Sequence, residues 1–180
     1  MTTAGTLELV PVAGRLDLVA DPVAKALTSW TRMPDVSVAE IDPSLADTAA
    51  LVEAADLPLD MSANCVVVAG RRGGDERVAA CVVLATTRAD VNGLVRRMLD
   101  VRKASFLAMD LAVEWTGMEY GGITPVGLPE DWFVLIDAAV VATPYVVIGS
   151  GVRRSKLALP GEALHDLPNV QVVDGLGQLT

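Results

Sequence analysis

Hydrophobic residues along the chain occur in short runs that are broken by glycine, proline and charged residues. Two nearly continuous Val-rich runs, "ANCVVVAG" and "RVAACVVLAT", flank the glycine-containing segment "RRGGDE". This arrangement predicts a β-hairpin. Because both runs are apolar at successive positions, we expect both faces of their sheet to be covered.

Further strands are predicted by alternation in "VSVAEID" and by the apolar runs "WFVLIDAAV", "YVVIGSG" and "SKLAL". Strands outnumber crossover helices between Val66 and Leu159. This pattern favours an α/β fold with a mixed, largely antiparallel sheet flanked by helices over a doubly wound sheet.

Helices are predicted where apolar residues recur at helical spacing between start and stop signals. Asp21 is expected to cap the first, with Pro22 at its first helical position, and Gly117 to end the last. A final helical turn is expected at "PGEALHDL". The predicted helices are "DPVAKALTSW", "DPSLADTAALVEAADL", "RADVNGLVRRMLDV" and "MDLAVEW".

The composition narrows the class of protein. A length of 180 residues suits one domain, and 52% hydrophobic with 21% charged residues indicates a globular chain. No apolar run is long enough to span a bilayer, and the N-terminus lacks the pattern of a signal peptide. We therefore expect a cytoplasmic protein without a membrane segment.

The residues that bind metals or perform nucleophilic catalysis are scarce. Cys65 and Cys81 form neither a disulfide framework nor a metal-binding spacing, and His165 is the single histidine. We expect no metal and no cofactor. Cys65 is either a nucleophile or, as we favour, a core residue, and His165 is expected at the surface.

The net charge of −9 argues against loose, non-specific binding of nucleic acid. The basic residues are nonetheless clustered, and local basic patches and ordinary solvated faces both remain open. The clusters are Arg71, Arg72 and Arg77; Arg88, Arg96, Arg97, Arg102 and Lys103; and Arg153, Arg154 and Lys156.

Three stretches, in this order, carry a resemblance to a known family. The segment "YGGITPVGLP" contains a Gly-x-x-x-Pro loop, here Gly121 to Pro125; "VLID" ends at Asp137; and "VVIGSGVRRSKLAL" is a glycine-containing hairpin with basic residues. From about Val36 onward the chain resembles the YbaK family of aminoacyl-tRNA deacylases, which are related to the editing domain inserted in bacterial prolyl-tRNA synthetases.

The resemblance implies an editing domain over residues 35–180. Residues 1–34 precede the resemblance, and we expect them to form an extension packed on the domain. The resemblance implies a central mixed sheet that curls toward a barrel, and a pocket for the aminoacyl end of a mischarged tRNA. The expected partner is the acceptor end of a mischarged tRNA, and a synthetase is a second candidate partner. The implied reaction is hydrolysis of the ester between the amino acid and the ribose, without a cofactor.

The resemblance also implies roles for individual residues. The glycines of the loop could instead be plain turn residues, and Asp137 could serve a structural pairing. The expected catalytic residues are Gly121, Gly122, Thr124, Pro125 and Asn64; the substrate-binding residues are Asp137, Gly127, Gly149 and Gly151; and the tRNA-binding residues are Arg71, Arg72, Arg153, Arg154 and Lys156.

Asn64 stands where the family usually has a lysine. Asparagine donates hydrogen bonds but carries no charge and cannot act as an acid or base. Two hypotheses follow: a trans-acting deacylase for a small amino acid (Ala, Ser, Thr or Cys), or a weakened module that binds aminoacyl-tRNA or a protein partner without turnover. Arg71, Arg72 or Lys156 could supply the missing charge.

Overall fold

The protein is described by a computed structural model that covers residues 4–180. It contains eleven strands in this range, several of them short. They are β1 (Val10–Pro11), β2 (Ser37–Glu40), β3 (Ala63–Arg72), β4 (Asp75–Leu84), β5 (Thr87–Ala89), β6 (Ala104–Phe106), β7 (Phe133–Asp137), β8 (Val146–Gly149), β9 (Ser155–Leu159), β10 (Val170–Val173) and β11 (Gly177–Leu179).

The helices are short and lie between the strands. Short 3₁₀ turns occur elsewhere, including Pro43–Leu45 and Gly161–Asp166, and a π-helical turn, Val91–Val95, leads into the third helix. No helix within residues 4–180 is long and apolar enough to cross a membrane. The α-helices are α1 (Asp21–Ser29), α2 (Thr48–Ala54), α3 (Arg96–Met98), α4 (Met109–Thr116) and α5 (Ala138–Ala142).

The strands form a five-stranded sheet in the order β10-β7-β4-β3-β6, a four-stranded sheet in the order β1-β2-β9-β8, and the small pair β11-β5. The β3–β4 hairpin is antiparallel from the Ala63–Leu84 pair to the Arg72–Asp75 pair. β7 runs parallel to β4, and β10 parallel to β7. The mixed α/β fold predicted from the sequence is therefore confirmed.

The predicted curl toward a barrel is not confirmed, because the sheets do not close. Within residues 4–180, β6 pairs only with β3 and β10 pairs only with β7, so the larger sheet has two free edges. β6 is also short and covers only Val68–Gly70 of β3. The outer edge of β3 is thus open at its beginning, where Asn64 lies.

The largest hydrophobic core lies between the two main sheets and contains residues from both ends of the chain. Val23 and Leu27 of α1 are fully buried in it beside Ile136 and Leu157. β1 extends the smaller sheet, with Val10 paired to Val38 of β2. Residues 12–27 therefore belong to the same core as the rest of the chain.

Two polar residues begin helices where the sequence predicted continuous elements. The predicted helix at 42–57 is divided, because the Asp47 carboxylate accepts a 2.9 Å hydrogen bond from the Ala49 amide and starts α2 there. The predicted strand "WFVLIDAAV" ends at Asp137, which caps α5 in the same way. The short strands β1, β5, β6, β10 and β11 were not predicted.

Candidate functional site

An open cleft of about 820 Å³ lies where the free edge of β3 faces the smaller sheet. Its walls are the beginning of α2, the first residues of β3, the hairpin between β8 and β9, and the residues Tyr120, Gly121 and Ile123; Gly122 is buried and lies outside the lining. Phe106, Leu59 and Met109 stand at its rim and are largely exposed. The lining of this cleft includes several of the site residues predicted from the sequence, together with residues for which no role was predicted.

The Gly-Pro loop (residues 121–125) is held against β8 by backbone contacts. The Gly122 carbonyl accepts a 2.7 Å hydrogen bond from the Gly151 amide. Gly149 has no side chain between it and the loop: a Cβ placed there would lie 2.6 Å from the Gly122 carbonyl oxygen and 2.7 Å from that of Ile123. Glycine at 149 is therefore needed for this close approach.

Only the first part of the Gly-Pro loop reaches the cleft. Gly121, with φ +81°, and Ile123 line it, and within residues 4–180 neither of their amides donates to another protein group. Thr124 and Pro125 are buried behind them, outside the cleft lining. The Thr124 hydroxyl has no hydrogen-bond partner among the described residues. Two backbone amides of the loop thus remain without a protein acceptor in residues that line the cleft.

Asn64 lies on the open edge of β3 and lines the cleft. The Thr48 hydroxyl, at the start of α2, donates a 2.7 Å hydrogen bond to the Asn64 side-chain oxygen. This contact fixes the orientation of the amide. The Asn64 amino group keeps both of its hydrogens for other acceptors, since no protein acceptor for it lies within the described range.

Two cations, Lys156 and Arg153, lie in the cleft wall. Lys156 is only 8% exposed, and its ammonium donates a 3.0 Å hydrogen bond to the Ala46 carbonyl. Arg153 donates to the carbonyls of Tyr120 and Pro43, both at 3.1 Å. Neither side chain forms an ion pair with a carboxylate in the described part of the chain.

Burial lowers the pKa of Lys156, because an ammonium loses hydration inside the protein. The nearby Asp47 carboxylate partly opposes this shift, and the positive charge of Arg153 adds to it. An ammonium has three donors, and Lys156 uses one on Ala46. The remaining hydrogens can bind an anionic or carbonyl oxygen.

Among the described residues, Asp47 is the one acidic residue in the cleft lining, and it was not predicted from the sequence. One carboxylate against two cations gives the cleft a net positive charge, in a chain whose overall charge is −9. Asp47 and Thr48 were missed because the helix was predicted to begin at Asp42. The available signal was an Asp-Thr pair directly before an apolar helical run.

Asp137 lies outside the cleft lining, although the resemblance implied that it lines the pocket. One carboxylate oxygen accepts from the Ala139 amide at 2.8 Å, and the other accepts from the Gly177 amide of β11. The buried carboxylate is therefore satisfied by the α5 start and the C-terminal strand. Its partners are those of a structural residue.

The other predicted substrate-binding and tRNA-binding residues lie partly in the cleft and partly elsewhere on the protein. Gly149 lies in the cleft, whereas Gly127 and Gly151 pack against Pro22 and Ala20 at the start of α1. Arg153 and Lys156 lie in the cleft, but Arg154 donates to the Asp17 carbonyl. Arg71 and Arg72 stand at the far end of β3, where Arg72 pairs with Asp100 at 2.7 Å.

The cysteines and the histidine give the cleft no nucleophile. Cys65 lies in its wall, but burial raises the pKa of its thiol far above neutrality, so the thiol stays protonated. Burial raises the pKa of Cys81 to about 12. His165 is largely exposed and lies outside the cleft lining. No group of metal-binding side chains occurs between residues 4 and 180.

Comparison with known families and structures gives a consistent result. The model of the family described as "Aminoacyl-tRNA editing domain" matches residues 42–167. A candidate trans-editing enzyme for prolyl-tRNA synthetase has a similar structure, with a TM-score of 0.73 at 21% identity, covering 95% of this chain and 99% of that chain.

A second similar structure comes from the computational grafting of epitope backbones onto scaffold proteins. It has a TM-score of 0.73 at 22% identity, covering 88% of this chain and 97% of that chain. At these identities the two structures show a common fold. Among curated proteins no relative matches the chain.

Proposed function

The chain belongs to the aminoacyl-tRNA editing domain family, and from this premise we propose that it hydrolyses the ester of a mischarged tRNA that carries a small amino acid. The family implies aminoacyl-tRNA deacylase activity in general. The choice of amino acid, the residues that act and the tRNA are our proposal. We expect it to act in trans, in the cytoplasm, where charged tRNA is found.

The observation that carries the proposal is a positively charged cleft in an acidic protein. Arg153 and Lys156 face one carboxylate, Asp47, while the chain as a whole carries −9. Two cations in a cleft favour an anionic ligand, and the single carboxylate can pair with one cationic group on that ligand. The 3′-terminal aminoacyl nucleotide has this character, since it joins a phosphate to an α-ammonium group.

The groups of the substrate can be matched to groups of the cleft. The terminal phosphate binds the Lys156 ammonium and the Arg153 guanidinium through charge-assisted hydrogen bonds. The α-ammonium group pairs with Asp47. The ester carbonyl lies against the unpaired amides of Gly121 and Ile123, which stabilise the oxyanion as it develops.

The reaction needs little from protein side chains. The oxygen of a water molecule forms a bond to the ester carbonyl carbon, and the bond from that carbon to the ribose oxygen then breaks. The attacking water gives up a proton and the leaving ribose oxygen takes one, and the neighbouring ribose hydroxyl can relay the proton between them; the products are the free amino acid and the uncharged tRNA. Positioning and oxyanion stabilisation therefore supply the catalysis, in agreement with a cleft whose one thiol is held neutral.

The preference for a small amino acid is supported by the wall beside Asn64. Ala49, Ala63 and Ala85 line it with methyl groups, and they suit contact with a short apolar side chain. The amino group of Asn64, oriented by Thr48, can donate to the hydroxyl of a bound Ser or Thr. We therefore assign Ala, Ser, Thr or Cys as the group that is removed.

A panel of mischarged tRNAs tests the proposal. Because a structurally similar protein is a candidate trans-editing enzyme for prolyl-tRNA synthetase, the panel begins with tRNA for proline carrying each of the four amino acids. Turnover on one or more of them is expected, with correctly charged tRNA as the control. Stoichiometric binding without turnover would instead support a binding module.

A further inference from the structure

A short basic segment (residues 96–103) lies outside the cleft and has no role in the site described above. Its four cations are all exposed and form no ion pair with a described residue, and its one acidic residue, Asp100, is already paired with Arg72 and Arg77. The four cations are Arg96, Arg97, Arg102 and Lys103. The segment therefore presents uncompensated positive charge in a protein of net charge −9.

The basic segment connects directly to the cleft. Lys103 is followed by β6, and β6 ends at Phe106, which lines the cleft and is 65% exposed. Three residues of extended chain span about 10 Å. An exposed aromatic ring thus stands between a group of unpaired cations and the place where the terminal nucleotide is expected to bind.

We propose that the basic segment and Phe106 form the surface that binds the single-stranded 3′ end of the tRNA upstream of its terminal nucleotide. This inference rests on the proposed deacylase function. The arginines and Lys103 contact backbone phosphates, and the Phe106 ring stacks on the base that precedes the terminal adenosine. Proteins that bind single strands combine a positive groove with aromatic stacking platforms in this manner.

The arrangement differs from the tRNA surface expected from the sequence. Arg154 is tied to the Asp17 carbonyl, and Arg72 is paired with Asp100. Arg71 is exposed and forms no ion pair in the described structure, but the strand register places it opposite Glu76, whose charge offsets its own. The basic segment is the cluster outside the cleft whose cations have no such partner in the described structure.

The test compares substrates of different length on the same variants. The first variant is Arg102→Gln/Lys103→Gln, and the second is Phe106→Ala. The matched control, Lys25→Gln/Arg88→Gln, removes two exposed cations that lie outside the cleft lining and outside the basic segment. The substrates are full mischarged tRNA, an aminoacylated CCA trinucleotide and aminoacyl-adenosine.

The double glutamine variant should raise the KM for full tRNA at least tenfold at low salt, while kcat/KM on aminoacyl-adenosine stays unchanged. Two lost phosphate contacts should also reduce the slope of log KM against log salt by roughly 1.4. Phe106→Ala should raise the KM for the trinucleotide on the order of tenfold, and it should change the KM for aminoacyl-adenosine less, although Phe106 lines the cleft. The control should behave as the wild type.

The outcomes separate this inference from the proposed function. If the wild type hydrolyses none of the substrates, the proposed function fails. If the wild type is active and the double variant keeps the wild-type KM and salt slope on full tRNA, the inference is overturned. An equal loss on tRNA and on aminoacyl-adenosine also overturns it, because the variants would then act on the cleft or the fold, which urea unfolding distinguishes.

Discussion

The Thr48 hydroxyl donates a 2.7 Å hydrogen bond to the side-chain oxygen of Asn64 and so joins the start of α2 to the open edge of β3. This bond leaves the Asn64 amino group as the part of the amide that is free to donate. A neutral donor with a fixed orientation therefore stands in the cleft, and the positive charge comes from Lys156 and Arg153 instead.

Thr48→Val should lower kcat/KM by about threefold to tenfold, since it keeps the shape of the side chain and removes a hydrogen bond worth about 1 kcal/mol. The Asn64 amide would lose its fixed orientation. Thr48→Ser retains the hydroxyl and should stay near wild type. Equal activity of the Val and Ser variants in steady-state kinetics would show that the bond has no role in positioning.

Lys156→Met should weaken substrate binding by roughly tenfold or more, because one charge-assisted contact to the phosphate contributes about 1–2 kcal/mol. The free energy of unfolding should stay the same or rise, since a buried ammonium without a carboxylate partner is costly. Urea unfolding and KM are the two measurements. A large loss of stability with unchanged KM would make Lys156 a structural residue.

Binding should also depend on pH through Lys156, whose pKa is lowered by burial. As the pH rises through this lowered pKa, the ammonium loses its proton. The affinity for a non-hydrolysable amide analogue should therefore decrease with rising pH, and the decrease should begin before the pH reaches 10.5, the ordinary lysine value. Stability should rise over the same window, because there the unfolded chain binds the proton more tightly. Lys156→Arg, which stays charged, should remove both dependences.

Asn64→Lys should reduce activity on the order of tenfold in the wild-type background. The new ammonium would share the cleft with Lys156 and Arg153, with only Asp47 to compensate, and Thr48 would lose its acceptor. In the Lys156→Met background the same change should restore part of the lost affinity. An increase in kcat/KM from Asn64→Lys alone would contradict the assignment of the charge to Lys156.

Asp47→Asn should raise the KM for mischarged tRNA about tenfold and leave the affinity for uncharged tRNA unchanged. Asparagine still caps α2, so the helix start is preserved while the charge that pairs with the α-ammonium group is lost. Binding titrations with charged and uncharged tRNA give the comparison. Equal losses for the two forms would remove Asp47 from recognition of the amino acid.

Gly149→Ala should lower kcat at least tenfold and destabilise the protein by about 1–3 kcal/mol, because its Cβ would press on the carbonyls of Gly122 and Ile123. The loop would move away from the ester. Gly14→Ala is the matched control, since nothing lies within 4 Å of a Cβ at that position. Wild-type kinetics from Gly149→Ala would mean that the position of the loop is not critical.

The hairpin and the loop could be predicted from the sequence because their signals are local. Alternating or continuous Val-rich runs around Gly73 and Gly74 define β3 and β4, and the glycines and proline of residues 121–125 mark the loop. Membership of the family followed from the order of three such local patterns.

The contacts of Asp137 and Lys156 could not be predicted, because they join distant parts of the chain. The Asp137 carboxylate caps α5 and accepts a hydrogen bond from the amide of Gly177, which belongs to β11, a strand that was not predicted. Lys156 was predicted to bind tRNA and was one of three residues that could supply the missing charge, and strand pairing places it opposite Gly149, beside the loop. Register and pairing, which short patterns do not specify, decided both cases.

The most direct test of the account is single-turnover deacylation of tRNA for proline charged with Ala, Ser, Thr or Cys, measured for the wild type and for Lys156→Met. The wild type should remove at least one of these amino acids rapidly, and the variant should do so at a rate reduced about tenfold or more at subsaturating enzyme. Wild-type rates that do not exceed spontaneous hydrolysis for any of the four amino acids would contradict it.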